Sequence, residues 1–313
     1  MIVEIFLLLA SLGVVALMSD RVITYVSRIS HYLGISEMSA GFIILALSTS
    51  LPELFIAIMS ALSGQSNLSV GNVIGANIAN LTLVAGLAII ISKASISIKS
   101  ASQKSLSEFL FLTSLIALFI VQRNSLGPML GAVLLIMFVY FIFVISKKTG
   151  GTKPLGYFRS SEIRMTAVKF IVSIAVLLIA SKLIVDNGVS IATQLGLPLS
   201  IIGATIISIG TTIPELTTTI QALRKHHQEM AMGNILGSCI TNLTLILGLN
   251  ALLSFSQINL VAAGSMIFFM LFSTIVMWHM INSECLNRKY AIILILIYMA
   301  FILQQLGFSL FLF

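Results

Sequence analysis

Charge is what this sequence has least of: Asp, Glu, Lys and Arg make up 9% of its 313 residues, where an ordinary soluble domain holds about 25%. That scarcity excludes a water-soluble globule. Only two cysteines are present, Cys239 within an apolar run and Cys285 close to Arg288 and Lys289, so a secreted disulfide framework is excluded and both read as plain thiols. No HExxH motif and no phosphate-cradling P-loop occurs, which leaves a metalloprotease and an ATP-driven pump without support. The 17 Lys and Arg give a formal net charge of +7, yet they fall almost entirely between charge-free runs, as membrane edges do, and not as a nucleic-acid surface. The first residues, Met1 to Met18, are as hydrophobic as a signal peptide, but they carry Glu4 and no early Lys or Arg and read as a first span.

What the sequence has in abundance is apolar length, with 58% hydrophobic residues and a mean hydropathy of +1.11. About 20 such residues cross about 30 Å of hydrocarbon. Asp, Glu, Lys and Arg are absent from 54–92, 124–146, 187–214, 230–283 and 290–313. With turn residues and charges as punctuation, helices are expected at 2–30, 40–63, 69–92, 105–122, 126–146, 165–193, 202–224, 230–254, 258–281 and 288–311. One polar connection, Lys147 to Arg164, contains Gly150, Gly151, Pro154 and Gly156 and divides the chain nearly in half. The expected fold is an all-α membrane protein of ten transmembrane helices, with a five-helix unit over 1–146, a linker over 147–164 and a second five-helix unit over 165–313.

The two units repeat one another. Ser48-Thr49-Ser50-Leu51-Pro52-Glu53-Leu54 recurs as Gly210-Thr211-Thr212-Ile213-Pro214-Glu215-Leu216, and the run from Gly71 to Leu83 recurs from Gly233 to Leu245, all at a constant offset of 162 without a gap. Five helices is an odd number, so the second unit enters the membrane upside down, and inverted repeats belong to secondary transporters with a site near the bilayer midplane. Lys93, Lys99, Lys104, Lys147, Lys148, Lys153, Arg159, Arg164, Arg224, Lys225, Arg288 and Lys289 collect on one side against Arg123 on the other. That side is expected to be cytoplasmic, with the linker, and both termini outside.

An acid at bilayer depth costs about 2.5–3.5 kcal/mol on insertion scales, so Glu53 and Glu215, the only acids central in the repeat helices, need a reason to be there. Each follows a proline, which denies a hydrogen bond to the carbonyl four residues back, at Ser48 and Gly210, and breaks the helix. With the hydroxyls of Thr49, Ser50, Thr211 and Thr212, the freed carbonyls and the two carboxylates form a set of hard oxygen donors suited to Na⁺ or Ca²⁺. One such group alone would equally serve to satisfy backbone at a proline kink. Duplicated with a Glu each time, it points to ion ligation. Asn72, Ala76 and Asn80 share one helix face, as do Asn234, Ser238 and Asn242; ligation and interhelical hydrogen bonding both fit these stripes, and ligation is favoured for Asn80 and Asn242. Gly71-x-x-x-Gly75 and Gly233-x-x-x-Gly237 read as close-packing positions. Asp20 and Arg21 are expected to pair or to line a water path, and His226 and His227 to be solvated.

These segments resemble the cation/calcium exchanger superfamily, whose two repeats carry G-[ST]-[ST]-x-P-E followed by G-N-x-x-G-S-x-x-x-N/D, over roughly 41–90 and 203–252 here. The resemblance implies that Glu53 and Glu215 are the central Ca²⁺ ligands. It also implies that Thr49, Ser50, Thr211, Thr212, Ser238, Asn80 and Asn242 serve Ca²⁺ and Na⁺ sites, with carbonyls near Ala46 and Ser208 adding ligands. Helices 1 and 6 would slide across the remaining eight, and three Na⁺ would exchange for each Ca²⁺. Three positions depart from the pattern: Ser48 replaces the first glycine, Ala76 stands where Ser is usual, and Asn242 stands where some members have Asp. The implied function is Na⁺/Ca²⁺ antiport by a protein of the cell membrane, functional as a monomer, with the two ions as substrates, no cofactor and no nucleic-acid partner. The alternatives are Ca²⁺/H⁺ antiport on the same scaffold, a passive cation channel and, weakest, an intramembrane hydrolase. The proton-coupled branch sets its acids in Gly-Asn-x-x-Glu, which surrounds neither Glu53 nor Glu215, so sodium coupling is favoured.

Overall fold

The structure, a computed structural model, describes residues 2–62, 66–92, 96–97, 101–123, 125–148, 160–194, 208–253, 256–257, 260–283 and 285–305. The linker centre at 149–159 and the stretch 195–207, which would open the seventh expected helix, lie outside these residues. Helix α1 (Ile2–Leu33) runs a turn or so beyond the expected 2–30. The second expected helix starts earlier, at Glu37, because Ser36 caps it by accepting a hydrogen bond from the Ser39 N–H. It divides into α2 (Glu37–Thr49) and α3 (Leu51–Leu62).

There follow α4 (Ser66–Ala79), α5 (Ala85–Ser92), α6 (Ala101–Arg123), α7 (Pro128–Lys148) and α8 (Ser160–Gln194). The second half continues with α9 (Ser208–Thr211), α10 (Ile213–Arg224), α11 (Gln228–Thr241), α12 (Leu247–Leu253), α13 (Leu260–Asn282) and α14 (Arg288–Gln305). Among the described residues, six helices are long and apolar enough to cross a membrane, or seven when the bent pair α2 and α3 counts as one span. The chain is an integral membrane protein.

Beyond helices, the described residues contain only two-residue strands. Ile96–Ser97 pairs with Cys285–Leu286, and Ser125–Leu126 pairs with Ser256–Gln257, both antiparallel. The first and third of these strands in chain order, and the second and fourth, are each 160 residues apart, so each pairing maps onto the other when the halves are exchanged.

The interior belongs to α4, α5, α11 and α12, the continuous segments Ser69–Ser92 and Gln228–Leu253, most of whose residues are buried. Large apolar side chains that remain exposed include Val3, Phe6 and Leu17 on α1, Ile136, Val139 and Phe143 on α7, Ile171 and Ile179 on α8, and Leu296 and Met299 on α14. An exposed apolar band on peripheral helices is what lipid contact requires.

Close packing of α11 on α2 rests on three glycines. A Cβ on Gly41 would overlap the Met230 carbonyl oxygen, one on Gly233 would come within 3.1 Å of the Gly41 Cα, and one on Gly237 within 2.7 Å of a Phe42 ring carbon. Small residues let the backbones approach this closely. In the first-half motif a Cβ at Gly71 meets nothing within 4 Å among the described residues, and the counterparts of the second-half contacts fall at 200–204, outside them. Gly41→Ala is therefore expected to cost about 1–3 kcal/mol by overpacking, read as a lowered melting temperature in detergent.

Candidate ion-binding site

The two proline motifs do locally what the sequence requires. Ser50 and Thr212, two residues before their prolines, leave the helical region with φ/ψ of −83°/12° and −89°/2°, and α2 meets α3 at 47°. These bridge-region values are uncommon and recur at functional sites. The Ala46 carbonyl takes the Ser50 N–H at 3.0 Å and the Thr49 hydroxyl at 3.3 Å. On the other side, the Thr212 N–H and hydroxyl both reach the Ile209 carbonyl, at 3.2 and 2.9 Å. Ser208 opens α9.

Glu53 and Glu215 emerge just after these breaks, in the first turns of α3 and α10, and each is 1% exposed. Their surroundings are exchanged between halves. Ser50 donates to the Glu215 Oε1 at 3.3 Å, Thr49 lies against the same carboxyl, and Thr211 hydrogen-bonds to Glu53. Each carboxylate is thus held by hydroxyls from the other half, and the two acids are close enough to repel one another. Among the described residues the Oε2 of each has no hydrogen-bond partner, and no cationic side chain offsets either charge. Two desolvated charges without compensation cost several kcal/mol each, so the arrangement favours a bound cation.

Asn80 and Asn242 begin two widened π-helical turns, Asn80–Val84 and Asn242–Ile246, a distortion often found at functional sites. In each, a threonine hydroxyl bonds the carbonyl four residues back: Thr82 to Ile78 and Thr244 to Ile240 at 2.6 Å. The Oδ1 atoms of Asn80 and Asn242 and the Ser238 hydroxyl are buried without partners among the described residues. Asn242 donates to the Asn77 Oδ1 at 2.9 Å, and Asn77 donates to the Cys239 carbonyl at 3.2 Å. Asn77 and Cys239 are separated by the repeat offset, so each faces its own counterpart where the two halves meet.

The pattern of sodium/calcium exchanger proteins matches residues 3–147 and 165–307, nearly the whole chain. The chain belongs to the sodium/calcium exchanger protein family. CaxA of Alkalimonas amylolytica is 30% identical over 284 residues, 88% of each chain. The sodium/calcium exchanger MaX1 of Methanosarcina acetivorans is 29% identical over 297 residues, 80% of this chain and 84% of that one. A solved structure of the sodium-calcium exchanger NCX_Mj, soaked with zero Na⁺ and Ca²⁺, superposes with a TM-score of 0.83 over 96% of this chain and 98% of that one at 24% identity. This last likeness establishes the fold.

Within this exchanger-family protein some expectations are corrected. Asp20 pairs with Lys225 and not with Arg21: the Lys225 Nζ lies 2.9 Å from the Asp20 carboxylate, 2.7 Å from its carbonyl and 2.6 Å from the Thr24 hydroxyl. The long lysine stem reaches across the helix interface, whereas adjacent residues on a helix point apart. His227 is bonded to the Glu37 carboxylate at 2.6 Å and is half-buried, because the turn after α10 brings it onto the start of α2.

Asn234 is a hydrogen-bond hub. It accepts from Thr49 at 3.4 Å and donates to Thr218, to Thr219 and to the Glu215 carbonyl at 3.2, 2.9 and 3.3 Å. Thr218 and Thr219 escape a reading by repeats because their counterparts are Ile56 and Ala57. The signal that would find them is a run of three threonines, 217–219, directly after the Glu motif. The counterpart of Asn234, Asn72, keeps a buried amide nitrogen without a partner among the described residues.

Proposed function

We propose that the chain is a secondary antiporter that exchanges Na⁺ for Ca²⁺ through one site between Glu53 and Glu215, opened to each side in turn. The observation that carries this reading is the pair of buried carboxylates, one from each half, each held by the other half's hydroxyls and each with one oxygen free. One Ca²⁺ takes 6–8 oxygens at about 2.3–2.6 Å. The carboxylates, with Thr49, Ser50, Thr211, Thr212, Ser238, Asn80, Asn242 and the carbonyls of Ala46 and Ser208, supply enough donors without a soft ligand. Occupancy by Ca²⁺ or by Na⁺ excludes the other ion, and that competition couples the two fluxes without a separate energy source. The name of the relative MaX1, a sodium/calcium exchanger, supports sodium as the coupling ion.

The architecture that fits is ten transmembrane helices in two inverted units, 1–146 and 165–313, joined by a cytoplasmic linker over 147–164, with both termini outside. The exchange of the two short strand pairings between halves and the meeting of Asn77 with Cys239 support it. The pocket closes within one chain, so a monomer suffices.

Counting charge gives the stoichiometric expectation. Two ionised glutamates with neutral Asn80 and Asn242 make a pocket of formal charge −2, which one Ca²⁺ or two Na⁺ neutralises. A third Na⁺ leaves +1 in a medium of low dielectric, so it binds weakly and outermost, and exchange of three Na⁺ for one Ca²⁺ is electrogenic. With no third acid at position 242, no K⁺ is required, and Asn242→Asp should change Na⁺ and K⁺ dependence more than Ca²⁺ binding. Tracer Ca²⁺ flux in liposomes tests the reading: uptake driven by an outward Na⁺ gradient, sensitive to membrane potential and indifferent to K⁺, is the expected result. Uptake driven only by a proton gradient, an uncoupled leak, or an absolute need for K⁺ at fixed potential would each overturn it.

A further inference from the structure

Asparagine side chains have an accepting and a donating end of nearly the same shape, and which end points where is fixed only by their partners. A cation ligand must present oxygen. Something therefore has to prevent Asn242 from turning its amide nitrogen, with its partial positive charge, into the pocket.

The structure contains a chain of hydrogen bonds that does this from a fixed starting point. The Cys239 carbonyl can only accept, so the end of Asn77 facing it at 3.2 Å is the nitrogen. The Asn77 oxygen is then turned toward Asn242 and can only accept, so the end of Asn242 facing it at 2.9 Å is also the nitrogen. The Asn242 oxygen is left over, buried and without a partner among the described residues. Asn77 itself is fully buried, so no bulk water competes for either of its ends. Asn80, the counterpart of Asn242, has no matching relay, because Cys239 stands where the counterpart of Asn77 would be an amide.

We propose that Asn77 is a positioning residue, which touches no ion but locks Asn242 with its oxygen toward the cation. The proposal rests on the exchange reading above. Groups that orient metal ligands in this way typically carry about 10–100-fold in metal affinity. A residue that only packed the helix interface would affect stability and would act the same whatever stood at 242.

The test is Ca²⁺ binding by calorimetry on the purified full-length protein, together with half-saturating Ca²⁺ and maximal rate in liposomes, in a double-mutant cycle. Asn77→Ala should weaken Ca²⁺ binding by about 10–100-fold and raise the half-saturating Ca²⁺ to match. In an Asn242→Ala background the same change should add no more than about twofold. The alanine variant is expected to fold, since the Cys239 carbonyl keeps its bond from the Asn242 backbone N–H. If it does not fold, Asn77→Leu fills the space with no polar atom and carries the same expectation. Unchanged Ca²⁺ affinity on loss of the Asn77 amide, or an equal loss in both backgrounds, overturns the assignment of Asn77 alone. Wild-type protein that binds no Ca²⁺ overturns the exchange reading and this one with it.

Discussion

Glu53→Gln and Glu215→Gln are each expected to abolish Ca²⁺ exchange while the protein still folds and inserts. The two carboxylates are buried within range of mutual repulsion, with no cation among the described residues to offset them. A divalent ion leaving its hydration shell for this pocket needs both charges. Removing one charged member of such a desolvated group costs about 3–5 kcal/mol, which is more than about a hundredfold in ion affinity. The amide is also cheaper than the acid at bilayer depth. Each variant should therefore melt at or above the wild-type temperature in ion-free buffer, where the wild type carries the unrelieved repulsion. Added Ca²⁺ should raise the wild-type melting temperature, as binding to the folded state demands, and leave both variants unmoved. Initial rates of tracer uptake and thermal melts in detergent check both halves of this expectation, and normal exchange in either variant would remove the core of the proposal.

Fastening α1 to α10 should be as severe for transport and harmless to binding. Alternating access around a fixed site requires the flanking helices to move, and α1 is a peripheral helix with much of its apolar surface exposed. It touches α10, the helix that begins two residues before Glu215, at Ser19, whose hydroxyl donates to that of Thr217 at 2.8 Å. Cysteines at these two positions would carry their sulfur atoms where the two hydroxyls now meet, the contact from which a disulfide bond forms. Oxidised Ser19→Cys/Thr217→Cys protein should bind Ca²⁺ with wild-type affinity and exchange none, with activity restored by reductant. Undiminished transport in fully cross-linked protein would argue against movement of α1. A natural fastening lies further along the same interface, where Lys225 grips Asp20 and Thr24. If α1 slides, this ion pair has to open and close with the helix.

What the sequence discloses and what it hides follow from the same fact, the internal repeat. Residues that occur twice announce themselves: Glu53 with Glu215, Thr49 with Thr211 and Asn80 with Asn242 appear at one offset, all six are buried, and Thr49 and Thr211 each lie against the other half's glutamate. Most helices are equally legible, because charge-free runs mark their interiors and charge collects at their ends; α1, with Asp20 and Arg21, and α8, with Lys169, Lys182 and Asp186, are exceptions. The proline breaks are legible too, although the residues that leave helical geometry are Ser50 and Thr212, two positions before the prolines.

Features present in one half only are not legible by this route. The threonines around Asn234 face Ile56 and Ala57 in the other copy, Asn77 faces Cys239, and the Lys225 grip on Asp20 joins helices far apart in sequence. None has a duplicated partner to mark it, and each depends on which helix faces which. The π-helical turns at Asn80 and Asn242 are hidden for another reason: they widen the helix by one backbone bond without any Gly or Pro to signal it.

The most direct test of the central claim is to locate the ion. Crystals of the protein soaked with Ca²⁺ or Sr²⁺ should contain one strong anomalous peak between Glu53 and Glu215, with carboxylate oxygens of both and the Asn242 Oδ1 about 2.3–2.6 Å from it for Ca²⁺. Raising Na⁺ in the soak should displace that peak. A divalent ion bound elsewhere, or bound by one glutamate with the other unengaged, would contradict the account.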